Sequence, residues 1–80
     1  MQKHVTNAKE LGEFIEKERE DKKYNKRQIS RLISLTTDVI RNVEVGFKGC
    51  KIDDIFKLLN HFKIKLIVEI DKEEEKVWTN

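Results

Sequence analysis

A chain of eighty residues with 38% hydrophobic and 40% charged residues, no proline and a net charge of +2 is one small domain, better suited to charged helices than to a disordered tail or a strand sandwich. A single cysteine, Cys50, excludes an internal disulfide, and with His4 and His61 the only histidines there is no zinc-ligand spacing; no metal or other cofactor is expected, and a reducing, cytoplasmic setting is. The polar stretch from Met1 to Asn7 lacks the apolar centre of a signal peptide, and no apolar run approaches the ~20 residues that span a bilayer, so membrane roles are set aside.

Asn7 and Glu10 have the spacing of a capping box and open the first predicted helix, which carries Leu11, Phe14 and Ile15 at helical intervals to about Lys22. Asn25 and Gln28 repeat that spacing, and Ile29, Leu32 and Ile33 give a second helix of about two and a half turns its apolar stripe. Thr36 is a good N-cap for a third helix with Ile40 and Val43 on its apolar side and Thr37, Asp38, Arg41 and Asn42 on its other faces. Gly46 is placed to end it in the left-handed conformation.

Gly49 closes a short loop, after which Ile52, Ile55, Phe56, Leu58, Leu59 and Phe62 predict the main core helix, with Asp53 and Asp54 favourable at its positive end. From Lys63 the period changes: Ile64, Leu66, Val68 and Ile70 alternate with Lys65, Ile67 and Glu69, which reads as a strand, the alternative being an extension of the preceding helix. A lone strand has no partner in an all-helical chain, and pairing with the same strand of a second copy about a two-fold axis resolves this. Ile64, Leu66, Ile67, Val68 and Ile70 are then the dimerising residues. The expected organisation is a helical domain over 1–63, a dimerising strand over 64–70 and a mobile acidic tail over 71–80 around Val77 and Trp78.

Charge is unevenly placed. Residues 10–21 hold six acids and two bases, whereas 22–51 hold eight bases against Asp38 and Glu44, a net +6. A block of that sign suits a phosphate-facing surface, although an ordinary solvated face has the same composition.

The stretch NKRQISRLISLTTDVIRNVEVG resembles the helix-turn-helix of the Cro/phage-repressor family, on Asn25, Ile29, Ser30, Leu32, Ile33, Leu35, Ile40, Val43, Glu44 and Gly46, and the likeness runs from about Leu11 to Ile64. One departure is Ser34, where the family usually has glycine. The resemblance implies a mainly α, four- or five-helix, lambda-repressor-like DNA-binding domain, with Ile29, Leu32, Leu35, Ile40 and Val43 forming a shared centre and small Ser30 at the helix crossing. It also implies a third helix entering the major groove amino end first, so that Thr36, Thr37, Asp38, Arg41 and Asn42 are candidates for contact with bases. Arg41 suits guanine, Asn42 adenine and Asp38 cytosine N4, with the threonine methyls suited to thymine; Asp38 alternatively serves the helix start, and Val39 either meets thymine or packs. Asn25, Lys26 and Arg27 on one flank and Lys48 and Lys51 on the other are candidates for phosphate contact. Arg19 and Glu44 match an ion pair of the family and are expected to be architectural.

Phe56, Leu59 and Phe62 are read as core rather than as a ligand site, and neither His61 nor Cys50 has partners for catalysis, so no enzyme is expected. A helical domain followed by an alternating strand and an acidic tail is similar to HipB-like antitoxins. That likeness implies a homodimeric repressor of palindromic operators, an antitoxin regulating its own operon, with Trp78 as a candidate anchor for a kinase-like toxin. The alternatives are a stand-alone phage or restriction-modification control regulator and a protein-interaction adaptor that does not bind DNA.

Overall fold

Three of the four helices begin on a side-chain cap, as the sequence predicts. In the computed structural model, which describes residues 2–70, the order is α1 (Ala8–Asp21), α2 (Lys26–Ile33), α3 (Thr37–Val45) and α4 (Ile52–His61). Asn7 Oδ1 accepts from the Glu10 amide at 2.9 Å, but the Glu10 carboxylate does not return to Asn7. It accepts instead from the amide and the hydroxyl of Thr6 at 2.8 and 2.7 Å, and these bonds hold its carboxyl below the usual range. At α2 the box is complete: Asn25 Oδ1 accepts from the Gln28 amide and Gln28 Oε1 from the Asn25 amide, both at 2.8 Å. Thr36 Oγ accepts from the Val39 amide at 3.2 Å and opens α3. Lys51 caps α4 without a side-chain bond, leaving Asp53 and Asp54 of the first turn to favour its positive end.

The helix ends rely on left-handed residues. Gly46 takes φ 78°, as expected, while Lys23, Ser34 and Lys63 adopt φ of 63°, 58° and 58° despite their side chains. Long closing bonds follow three of the four: Tyr24 N donates to Arg19 O at 3.1 Å, Phe47 N to Asn42 O at 2.9 Å, and Ile64 N to Leu59 O at 2.9 Å.

Ile15, Ile29, Leu35, Ile40, Val43, Leu58, Leu59 and Phe62 form the buried core, to which all four helices and the α2–α3 turn contribute. Burying each contributes roughly 1.5 to 3 kcal/mol before conformational entropy is subtracted. Two expected core residues lie elsewhere. Leu32 is 59% exposed, because α2 turns its Ile29 and Ile33 side inward and Leu32, about 60° round the helix from Ile29, falls on the open edge. Phe56 is likewise exposed with Ile52, one turn before it, since the apolar face of α4 is wider than the core it covers.

α1 crosses the end of α3 at Gly12. A Cβ there would lie 2.3 Å from the Val43 carbonyl oxygen and 2.4 Å from that of Glu44, so the absence of a side chain sets the helix separation.

Lys63 turns the chain out of α4, which excludes a continued helix. Over 64–70 Ile64 packs on the core, and Leu66, Ile67, Val68 and Ile70 stay exposed. The described residues of this single chain contain no strand pairing, so the fold is four-helical without the expected strand. The tail over 71–80, with Trp78, lies outside the described residues.

Candidate nucleic-acid interface

The turn that sets α3 against α2 is short and pinned. Ser34 bends the chain, Leu35 goes into the core, and the Ser30 hydroxyl donates to the Leu35 carbonyl, giving that serine a hydrogen-bonding task beyond its small size. Ile29, Leu35, Ile40 and Val43 then clamp α3 from beneath. Its polar side remains open: Thr36, Thr37, Asp38 and Arg41 are exposed, and Asn42 is half-buried.

Within this set the commitments differ. Thr36 Oγ already accepts a cap bond, which settles Thr36 rather than Asp38 as the N-cap. Arg41 Nη2 stands 3.8 Å from Asp38 Oδ1, an open i,i+3 pair that costs little to separate. Arg41 therefore has a long, uncommitted guanidinium and Thr37 an uncommitted hydroxyl, both facing solvent. Val39 is half-buried against the core, in keeping with packing.

Of the candidate phosphate ligands, Arg27, Lys48 and Lys51 are exposed, the lysines bracketing the loop between α3 and α4. Asn25 and Lys26 are already engaged. The Asn25 oxygen holds the α2 cap, and Lys26 Nζ lies 3.9 Å from Glu44 Oε1. The helix amides and positive dipole at the start of α2 add to these side chains as an anion-favouring end.

Beneath the surface lies the pair the resemblance implies. Arg19 Nε donates to Glu44 Oε2 at 2.7 Å and Nη2 donates to Oε1 at 3.1 Å, both residues being buried. Arg19 Nη1 donates to the Tyr24 carbonyl at 2.8 Å, so one guanidinium joins α1, the loop before α2 and the end of α3. The bond to Glu44 raises the Arg19 pKa and holds it charged. Sequence reasoning missed Lys26 as the second cation on Glu44 and Gly12 as the crossing point; neither has a local signal, since both depend on what packs across from them.

His61 meets Tyr24 and Phe62 edge to face at ring separations of 5.9 and 5.0 Å, an aromatic packing role. Burial pushes the Cys50 thiol up, away from a reactive thiolate. Among the described residues no cluster of three or more histidine, cysteine or acidic side chains is placed to hold a metal, and no helix is long and apolar enough to cross a membrane.

No protein-family model and no curated protein matches the sequence. Solved structures do. A chain of the HipA-HipB-O2-O3 complex aligns with a TM-score of 0.79 at 14% identity, over 89% of this chain and 100% of its own. A chain of the HipB-O4 20mer complex aligns with a TM-score of 0.78 at 14% identity and the same coverage, and a protein described as MDT Protein with 0.79. The helices, the pinned turn and the buried Arg19–Glu44 pair thus belong to a chain with the fold of HipB.

Proposed function

We propose that this chain is a cytoplasmic, homodimeric, sequence-specific repressor that binds double-stranded DNA, and that it acts as an antitoxin controlling its own operon. The observation that carries the reading is the open polar side of α3, with Arg41 and Thr37 uncommitted, on a helix clamped by Ile29, Leu35, Ile40 and Val43. A recognition helix needs that combination, because base edges are read by side chains whose backbone cannot yield.

Thr36, Thr37, Asp38, Arg41 and Asn42 are assigned to the bases. Asn25, Lys26, Arg27, Lys48 and Lys51 are assigned to the flanking phosphates, with the α2 amides assisting. Lys26 has a shared role, steadying Glu44 at 3.9 Å while presenting its ammonium at the half-open end of α2. Ile64, Leu66, Ile67, Val68 and Ile70 are assigned to the dimer, which would place two copies of α3 on half-sites about 34 Å or a multiple apart. The solved HipB complexes with HipA and with 20mers are fold-level support for DNA and a toxin as partners, and Trp78 is the residue assigned to a kinase-like toxin.

Selection from a random duplex pool, followed by anisotropy titration at two salt concentrations, tests this. A palindromic consensus bound at least a thousandfold tighter than random duplex is expected. Equal affinity for all sequences, or none, overturns the repressor reading. Co-purification of a kinase-like protein from the native source tests the antitoxin part separately.

A further inference from the structure

Residues 64–70 leave the body of the protein with apolar side chains exposed on both of their alternating faces: Leu66, Val68 and Ile70 on one, Ile67 on the other, Val68 at 82% and Ile70 at 73% exposure. Alongside runs a half-open groove of about 580 Å³, lined by the Gln2–Val5 arm, by Lys63–Ile67 with Glu69, and by Leu11, Phe14, Leu59 and Phe62. One segment is therefore both an unpaired edge and a wall of the cleft beside it. That arrangement suits an isologous contact, in which the same surface serves both partners.

The charges then select a register. Read outward from Ile67, the sequence is Leu66 against Val68, Lys65 against Glu69, and Ile64 against Ile70. We infer that a second copy of this chain occupies the groove by antiparallel pairing of 64–70 centred on Ile67, with Lys65 of each copy opposite Glu69 of the other. The inference rests on the homodimer reading above and adds its register and its seat.

Competing registers are worse by charge. A shift of the centre to Leu66 sets Lys65 opposite Ile67, and a shift to Val68 sets Glu69 opposite Ile67. A parallel in-register pair sets Lys65 beside Lys65 and Glu69 beside Glu69, which repels. Only the Ile67 centre matches both charges and all apolar positions at once. Its alternating faces place Ile64, Leu66, Val68 and Ile70 of both copies on one side, and Ile64 already packs on the core. That side faces the body, and the Gln2–Val5 arm borders the seat of the partner's strand.

Charge reversal and crosslinking test the register. Sedimentation equilibrium of the full chain is expected to show dimers, with Lys65→Glu and Glu69→Lys each weakening dimerisation about tenfold and the double swap K65E/E69K recovering most of the loss. In a Cys50→Ser background, Ile67→Cys is expected to form an interchain disulfide on mild oxidation while Leu66→Cys and Val68→Cys do not, since residues directly opposite in an antiparallel pair have Cα atoms about 4.5 to 5.5 Å apart. A wild-type chain that stays monomeric overturns both the dimer and its register. A dimer in which the double swap is no better than either single variant, or which crosslinks best at 66 or 68, overturns the register and leaves the dimer reading standing. Removal of residues 2–5 is expected to weaken the dimer at least threefold, and an unchanged dissociation constant would remove the arm from the seat.

Discussion

Arg19 and Glu44, twenty-five residues apart, meet in a buried two-point contact with Nε–Oε2 at 2.7 Å and Nη2–Oε1 at 3.1 Å. The contact fastens the end of α1 to the last turn of α3, which makes a charge pair in the interior part of the machinery that aims the exposed face of α3. Breaking one partner strands the other, at a cost of about 3 to 5 kcal/mol, a large part of the stability of so small a domain. Urea denaturation of Arg19→Met and Glu44→Gln is expected to show losses of that size. A double variant, Arg19→Met with Glu44→Leu, is expected to lose clearly less than the two single losses added. Additive losses would mean that the pair is not coupled in solution.

Gly12 answers to the same crossing. Alanine there puts a methyl group 2.3 Å from the Val43 carbonyl oxygen, and the neighbours are backbone atoms rather than the flexible tip of a side chain. Gly12→Ala is expected to cost about 3 kcal/mol or more, against the usual gain from removing a glycine inside a helix. Thermal unfolding is the check, and a variant as stable as the parent would show that α1 can slide without penalty.

Ser34 gives the opposite sign. It holds φ 58° and ψ 43° with an exposed side chain, a conformation glycine adopts without steric cost. Ser34→Gly is expected to stabilise the domain by about 0.5 to 1 kcal/mol, or a few degrees in Tm. No gain, or a loss, would indicate that the hydroxyl contributes more than its backbone geometry costs.

These positions also show what was legible in the residues. Caps were, because Asn7, Asn25 and Thr36 announce themselves within four residues, and the completed box at Asn25 and Gln28 follows from local geometry alone. The helix-turn-helix was legible for the same reason, as a sequence of local signals. Leu32 was not, since an apolar stripe on a helix of eight residues does not say which of its edges meets the core. Gly12 and the Lys26–Glu44 approach were hidden because each is set by an element distant in sequence. The 64–70 segment was legible as non-helical, but its pairing cannot be seen in one chain.

Acid titration isolates the first cap. Hydrogen bonds from Thr6 hold the Glu10 carboxyl below its ordinary value, so its contribution is present above that value and is lost as pH falls through the lowered one. Carboxyl-detected NMR is expected to place Glu10 below the exposed glutamates of the chain, and Thr6→Ala to return it upward. An unmoved titration in Thr6→Ala would assign the shift to another neighbour.

Arg41 separates recognition from architecture. Its guanidinium is solvent-exposed and its only close charge is Asp38 at 3.8 Å, an open pair whose loss changes stability by less than about 0.5 kcal/mol. Arg41→Ala is therefore expected to leave Tm within about two degrees of the parent. Binding to the selected duplex should weaken by about 1 to 3 kcal/mol, with relaxed preference at one base pair in each half-site. Lys48→Gln, also exposed, is expected to weaken all duplexes alike and to reduce the salt slope by about one unit. The two variants thus fail differently if α3 reads bases while the following loop grips the backbone. If Arg41→Ala lowers every affinity equally and keeps the sequence preference intact, Arg41 belongs with the phosphate ligands and the readout falls to Thr37 and Asn42.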